Sequence, residues 1–127
     1  MKYLLDTNIL IWWLKQRKGL PSKIRQIIKD HNNEKYVSIV SLWEIIIKTN
    51  IKKLDLDLTV YEMMDDISDS SINILPIEAR YLEIYTHLPL IHKDPFDRFL
   101  ISTSIAEDIA LITSDEIIHQ YDIEWIW

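Results

Sequence analysis

Lys2-Tyr3-Leu4-Leu5-Asp6-Thr7-Asn8-Ile9-Leu10-Ile11-Trp12-Trp13-Leu14 is the stretch on which the fold turns. Lys2–Leu5 is short and apolar, which predicts a buried strand. Thr7 or Asn8 then caps a helix running to about Lys15. A short strand with no polar face belongs in a parallel sheet covered by helices on both sides. Asp6 stands at the junction, where a carboxylate loses hydration and needs a compensating partner.

The same order recurs downstream. Tyr36–Ile39 reads as a strand, and Ser41 begins a helix ending near Asn50, with Glu44 inside Leu42-Trp43-Glu44-Ile45-Ile46-Ile47. Pro21-Ser22 opens a helix with Ile24, Ile27 and Ile28 at helical spacing, and Thr59-Val60-Tyr61-Glu62 has the form of a capping box. Ile72–Leu75 is a strand, followed by a helix over 78–86. Asp94-Pro95 opens a long helix, proline being suited to the first helical position. Ala110–Thr113 is a buried strand, Asp115–His119 a helical turn, and Ile123–Trp125 a terminal strand. Strands alternating with helices predict an α/β fold whose sites gather beyond the carboxyl ends of the strands.

Composition narrows the chemistry. At 127 residues with 48% hydrophobic content and one glycine, a single domain over 1–127 with a substantial core is expected. The absence of cysteine excludes disulfides, thiolate zinc sites and cysteine nucleophiles, and fits a reducing cytoplasm. Met1–Asp6 meets an acid too early for a signal peptide, and no apolar run reaches the roughly 18 residues of a membrane span. The net charge of −6 is uneven: residues 1–53 carry eleven Lys/Arg against four Asp/Glu, and residues 54–127 carry three against sixteen. A basic rim facing a polyanion, with acids gathered around a cation, accounts for that asymmetry, as does simple solubilisation.

Four acids, Asp6, Glu44, Asp97 and Asp115, fall near helix starts at what connectivity makes one sheet edge. Each has a local explanation. Asp6 and Asp115 suit helix caps, Ser41-x-x-Glu44 forms a capping box, and Asp97 is a first-turn acid behind the cap Asp94. Together they repel one another unless a cation joins them, and oxygen ligands favour Mg2+ or Mn2+. Thr113 and Ser114 are placed to orient water or phosphate. His92 is expected in a loop, and His87 and His119 have no nucleophile to serve. No Walker loop, GxGxxG or GxSxG element is present. Tyr3, Trp12, Trp13, Trp125 and Trp127 suit either the core or an interface, and the nearly all-apolar first helix favours a covered surface.

Several motifs in order carry a resemblance. They are Leu4-Leu5-Asp6-Thr7 before a tryptophan-bearing helix, Val37–Ile45 with Lys48 and Lys53-Leu54 beyond, and Leu88-Pro89. His92-x-Asp94-Pro95-Phe96-Asp97-Arg98, Leu111–Asp115, and Tyr121 with Trp127 complete the series. The chain resembles PIN-domain ribonucleases, and among them the VapC-type toxins of prokaryotic toxin–antitoxin pairs, nearly end to end. That resemblance implies a three-layer α/β/α sandwich with a mainly parallel sheet of four to five strands. It implies Asp6 and Asp97 as the direct ligands of Mg2+ or Mn2+, with Glu44 and Asp115 completing the shell. Thr7, Asn8, Asp94, Thr113 and Ser114 are supporting polar residues, Asp94 being structural. An RNA substrate, a VapB-type antitoxin lying across the site, and a homodimer are also implied. Lys48 and Arg98 are candidates for contacting phosphate or pairing with the acids, with Lys15, Arg17, Lys18, Lys52 and Lys53 as a rim. Asn8 stands where histidine is frequent in such proteins, Lys52 where glycine is common, and Ser102 and Ser104 where small apolar residues are usual. The alternatives are a catalytically silent PIN-fold binding module or a metal-dependent phosphatase. For the second, Asn8 replaces the later acid of an Asp-x-Asp motif.

Overall fold

The computed structural model describes residues 1–16 and 19–127. Arg17 and Lys18, assigned to the basic rim, lie outside the described residues. Among the described residues five strands, β1 (Lys2–Leu5), β2 (Glu34–Ser38), β3 (Ile72–Leu75), β4 (Ala110–Ile112) and β5 (Trp125–Ile126), form one sheet ordered β3-β2-β1-β4-β5. Every pairing is parallel, with Tyr3 opposite both Lys35 and Ala110. The α/β architecture and the sheet expected from the sequence are present.

The α-helices of the described residues cover the sheet: α1 (Thr7–Leu14), α2 (Ser22–Lys29), α3 (Ile39–Asn50), α4 (Val60–Asp69), α5 (Ala79–His87) and α6 (Pro95–Glu107). A 3-10 turn, Ile118–Gln120, precedes β5. Side-chain alternation divides β1: Tyr3 and Leu5 pack with Ile9, Ile24, Leu42 and Ile67 on one face, Leu4 with Leu100, Ile101 and Leu111 on the other. Among the described residues no helix is long and apolar enough to cross a membrane.

The order of strands fixes the site. From β1 the chain proceeds outward to β2 and β3, then returns to the opposite side of β1 as β4. The switch point therefore lies between the carboxyl ends of β1 and β4, where a crevice opens. Asp6 directly follows β1, and Thr113, Ser114 and Asp115 follow β4. α3 starts from the carboxyl end of β2, and α6 begins at the same edge because its far end leads into β4.

Two helix starts differ from expectation. Asp6 itself, not Thr7 or Asn8, is the cap residue of α1. α3 begins at Ile39 behind the cap Ser38, whose hydroxyl accepts the Val40 amide at 3.1 Å. Ser41 thus lies inside the helix, buried, where its oxygen accepts the Thr7 hydroxyl at 2.9 Å. The Ser41–Glu44 capping box is not formed, whereas the Thr59–Glu62 box is, with both bonds at 3.1 Å. Ser102 and Ser104 on α6 are buried, but their hydroxyls donate to the carbonyls of Arg98 and Ile109. That satisfies them where apolar residues are more usual.

The end of α3 explains the glycine expected at position 52. Lys53 N–H donates to the Lys48 carbonyl at 2.9 Å and Lys52 N–H to that of Thr49 at 3.1 Å, closing a Schellman turn. Lys52 adopts φ 60°, the left-handed region in which a side chain is strained. Lys52→Gly is expected to stabilise the protein by about 1 kcal/mol, raising Tm by about 4 °C in thermal unfolding. An unchanged or lower Tm contradicts this.

Trp12 and Trp13 are partly buried against the core, and Trp125 and Trp127 are partly exposed. Tyr3 is core. Trp12 stacks obliquely on Trp127 with centroids 5.8 Å apart, and the Trp13 indole donates to the Ser70 hydroxyl at 2.9 Å. Trp12, Trp13 and Leu14 wall a cleft of about 470 Å³ between α1, α2 and α4.

Candidate functional site

Asp6 is buried at the end of β1 and held at both oxygens. Its Oδ1 accepts the Thr7 amide at 2.7 Å, and its Oδ2 accepts the Thr113 hydroxyl at 2.7 Å. An ordinary cap takes the second or third helical amide, so this carboxylate is aimed across the crevice more than along its helix. Thr113 Oγ1 also accepts the Asp115 amide at 3.1 Å, tying the loop after β4 to Asp6.

Glu44 sits in the second turn of α3 and is only 6% exposed. Lys48, one turn on, meets its Oε2 at 2.9 Å. Its Oε1 is buried without a hydrogen-bond partner among the described residues. A buried carboxylate oxygen left unpaired costs several kcal/mol unless a cation joins it. With the capping box absent, the ion pair one turn along the helix engages Oε2 and leaves Oε1 unaccounted for.

Asp97 lies in the first turn of α6, behind Asp94, whose Oδ1 accepts the Phe96 and Asp97 amides at 2.8 and 3.1 Å. His92 Nε2 lies 3.0 Å from Asp97 Oδ2 and 2.9 Å from Asp115 Oδ2. The three side chains offer ligand atoms within 4.8 Å of one another, the metal-competent cluster found among the described residues. Asp6 and Glu44 stand outside that radius but close enough to act on Asp97 electrostatically. Asn8 is exposed, and Ser114 is half-buried beside Thr113.

The acids perturb one another as a shared cation site would require. Burial, with the charges of Asp6, Asp94, Glu44 and Asp115, pushes the Asp97 carboxyl up to about 8. Burial also raises Asp6 to about 6, against the lowering effect of its bonds from Thr113 and Thr7. At Asp115 burial acts upward but is outweighed by hydrogen bonds from His92 and the Ile117 amide, which hold it below the usual range. Burial pushes the Lys48 ammonium down, and its bond to Glu44 more than restores it, leaving it raised. The Asp97 carboxyl, which retains its proton near neutral pH, is a site where a divalent cation can take the proton's place, and Asp6 is raised in the same direction.

The sequence matches the PIN domain family over residues 3–124. The chain belongs to the PIN domain family. The structure is similar to that of VapBC2 from Rickettsia felis bound to a DNA fragment from their promoter, with a TM-score of 0.73 and 21% identity. That match covers 99% of this chain and 98% of the other. VapBC-1 from nontypeable Haemophilus influenzae gives 0.67 and 20%, covering 99% and 97%. A toxin–antitoxin complex from Klebsiella pneumoniae gives 0.66 and 20%, covering 98% and 96%. Comparison with curated protein sequences gave no match.

On this PIN fold the two basic candidates take different places. Lys48 pairs with Glu44, as the pairing alternative expected. Arg98 is turned away from the acids and buried. Its guanidinium donates to the carbonyl of Pro89 at 2.8 Å and to the Tyr121 hydroxyl at 3.2 Å, and stacks over Tyr85. It clamps the segment leading to His92, and that demand on its donors leaves it poorly placed to take a phosphate. Trp43, the residue before Glu44, is 56% exposed and packs edge-on against Phe96 with centroids 5.3 Å apart. His92 is the site residue that sequence reasoning left in a loop. Its only local signal is its place two residues before the Asp94 cap, where Nδ1 accepts the Asp94 amide at 3.1 Å.

Proposed function

We propose that this PIN protein is a metal-dependent endoribonuclease toxin of the VapBC type, hydrolysing RNA phosphodiester bonds with Mg2+ or Mn2+. The Glu44 Oε1, buried, without a hydrogen-bond partner among the described residues, and in electrostatic reach of Asp6 and Asp97, carries the reading. The donor set fits a hard cation: carboxylate oxygens predominate, and Asp97, pushed up to about 8, holds a proton that a cation would displace. Asp6 and Asp97 would bind the ion most directly, with Glu44 and Asp115 completing its surroundings.

Once bound, the ion supplies Lewis acidity, activating water and neutralising charge on the phosphodiester. The chain's own residues do the positioning. Thr113 and the Thr7 amide fix the Asp6 carboxylate. Lys48 holds Glu44 by its Oε2, leaving Oε1 for the ion, and its ammonium is available to a phosphate at the rim. Lys52 and Lys53 are exposed and Lys15 half-buried, and these cations would draw a polyanion toward the crevice.

A cognate VapB-type antitoxin is supported by the toxin–antitoxin complexes among the similar structures. A homodimer is supported by exposed Leu82, Leu90, Ile91 and Ile105, apolar side chains of the kind a second copy covers. Such a toxin would act on RNA in the cytoplasm. Expression of the chain alone is expected to arrest growth and produce new RNA 5′ ends at defined positions. Co-expression with a cognate VapB-type antitoxin should suppress both. Growth and RNA ends indistinguishable from an empty vector would contradict the toxin reading.

A further inference from the structure

His92 is held with more structure than a loop residue requires. The Tyr121 hydroxyl accepts the amides of Ile91 and His92 at 3.2 and 2.8 Å and donates to the Pro89 carbonyl at 2.8 Å. Arg98, anchored on α6 itself, binds the Pro89 carbonyl and that same Tyr121 hydroxyl. The backbone from Pro89 to His92 is thus tied to α6 and to the chain after β4. Those are the two elements that carry Asp97 and Asp115.

The imidazole is fixed in turn. Its Nδ1 accepts the Asp94 amide, so the ring proton resides on Nε2. That nitrogen faces Asp97 Oδ2 and Asp115 Oδ2 as a donor shared between two carboxylates. To ligate a metal through Nε2, the ring would have to move its proton to Nδ1, directly against the Asp94 N–H. Donating to the carboxylates breaks nothing.

We infer that His92 is a positioning residue of the metal site: its Nε2–H holds the Asp97 and Asp115 carboxylates side by side for the ion, without ligating it. The inference rests on the metal reading of the acidic cluster. In the metal-free protein this one N–H, 3.0 Å from Asp97 and 2.9 Å from Asp115, keeps the two side chains together. When the ion arrives, it meets a pair already oriented, with Asp97 Oδ1 and the remaining lone pairs still available.

Binding of Mn2+ to the purified full chain tests this, followed by calorimetry and by pulsed electron paramagnetic resonance of the bound ion. H92A is expected to weaken Mn2+ binding about tenfold or more. H92Q, whose side-chain amide can donate from a similar place, is expected to recover most of that loss. Bound Mn2+ in the wild type should show no coupling to a directly coordinated imidazole nitrogen. Imidazole coupling that disappears in H92Q would overturn the inference and make His92 a ligand. Unchanged or tighter binding by H92A would also overturn it, as would H92Q binding no better than H92A. If H92A does not fold, as judged by loss of cooperative unfolding, the wild-type spectrum and H92Q decide. A wild type that binds no Mn2+ would sink the metal reading as well. A wild type that binds while H92A binds equally removes only the role of His92.

Discussion

Asp6→Asn and Asp97→Asn are each expected to lower metal-dependent RNA cleavage at least about 1,000-fold while leaving the fold intact. Each substitution keeps the shape of the side chain and removes the charge that the cation needs. Asp6 retains its geometric partners as asparagine only in part, since its two oxygens accept from Thr7 and Thr113. Asp97 is flanked by the other three acids and by Asp94, so its charge is the one most dependent on a cation. A loss of about 4 kcal/mol of transition-state stabilisation corresponds to that thousandfold change. The measurement is the initial cleavage rate of a labelled RNA in Mn2+, with far-UV circular dichroism as the control for folding. Activity within tenfold of wild type in both variants would remove these carboxylates from the chemistry.

Asp97→Asn is also expected to stabilise the metal-free protein, and the more so the higher the pH. In the unfolded chain Asp97 titrates near 3.8, and in the folded one near 8. Between those values the native state binds more protons than the unfolded state, so stability falls as pH rises. Asp6 adds a smaller contribution of the same sign, ending near pH 6. Asp115 acts oppositely, since its lowered pKa gives stability lost only on acidification below the ordinary carboxylate range. The wild type in chelator should therefore lose Tm steadily from pH 5 to 8.5, and D97N should flatten that slope. The difference at pH 8.5 is expected to be about 2 kcal/mol, well below the roughly 6 kcal/mol that a shift from 3.8 to about 8 would give a fully shielded group, because Asp97 is partly solvated. Mn2+ should restore the wild type at high pH, where its ligands are deprotonated, and leave D97N unchanged. A wild-type Tm that is flat or rises with pH would contradict the account of the cluster.

The two expectations bear on one trade-off. A site of mutually repelling carboxylates is unfavourable to the folded chain until its cation binds. That cost is visible at Asp97 as retained protons and at Glu44 as an oxygen with no partner.

Much of this was legible in the chain because the signals are local. The continuous apolar strands, the Asp94-Pro95 start and the Thr59–Glu62 box each depend on residues within a turn of one another. The gathering of the acids followed from connectivity alone, since a parallel sheet brings the ends of β1 and β4 to one edge. What was not legible is tertiary. Ser41 carries a capping signature, but the Thr7 hydroxyl, 34 residues away in sequence, takes it into the core and Ser38 caps instead. Arg98 lies beside an acid in sequence, yet its donors are claimed by a preceding loop and by Tyr121, 23 residues on. His92 meets Asp115 across the same separation, which no spacing rule for metal-ligating histidines anticipates.

Incubation of the purified chain with RNA, in Mg2+ or Mn2+ and then in excess chelator, tests the central claim most directly. The account predicts cleavage at defined phosphodiester bonds with either metal, abolished by chelator and restored by adding the ion back. Cleavage that persists unchanged in chelator, or no cleavage of any RNA with either metal, would contradict it.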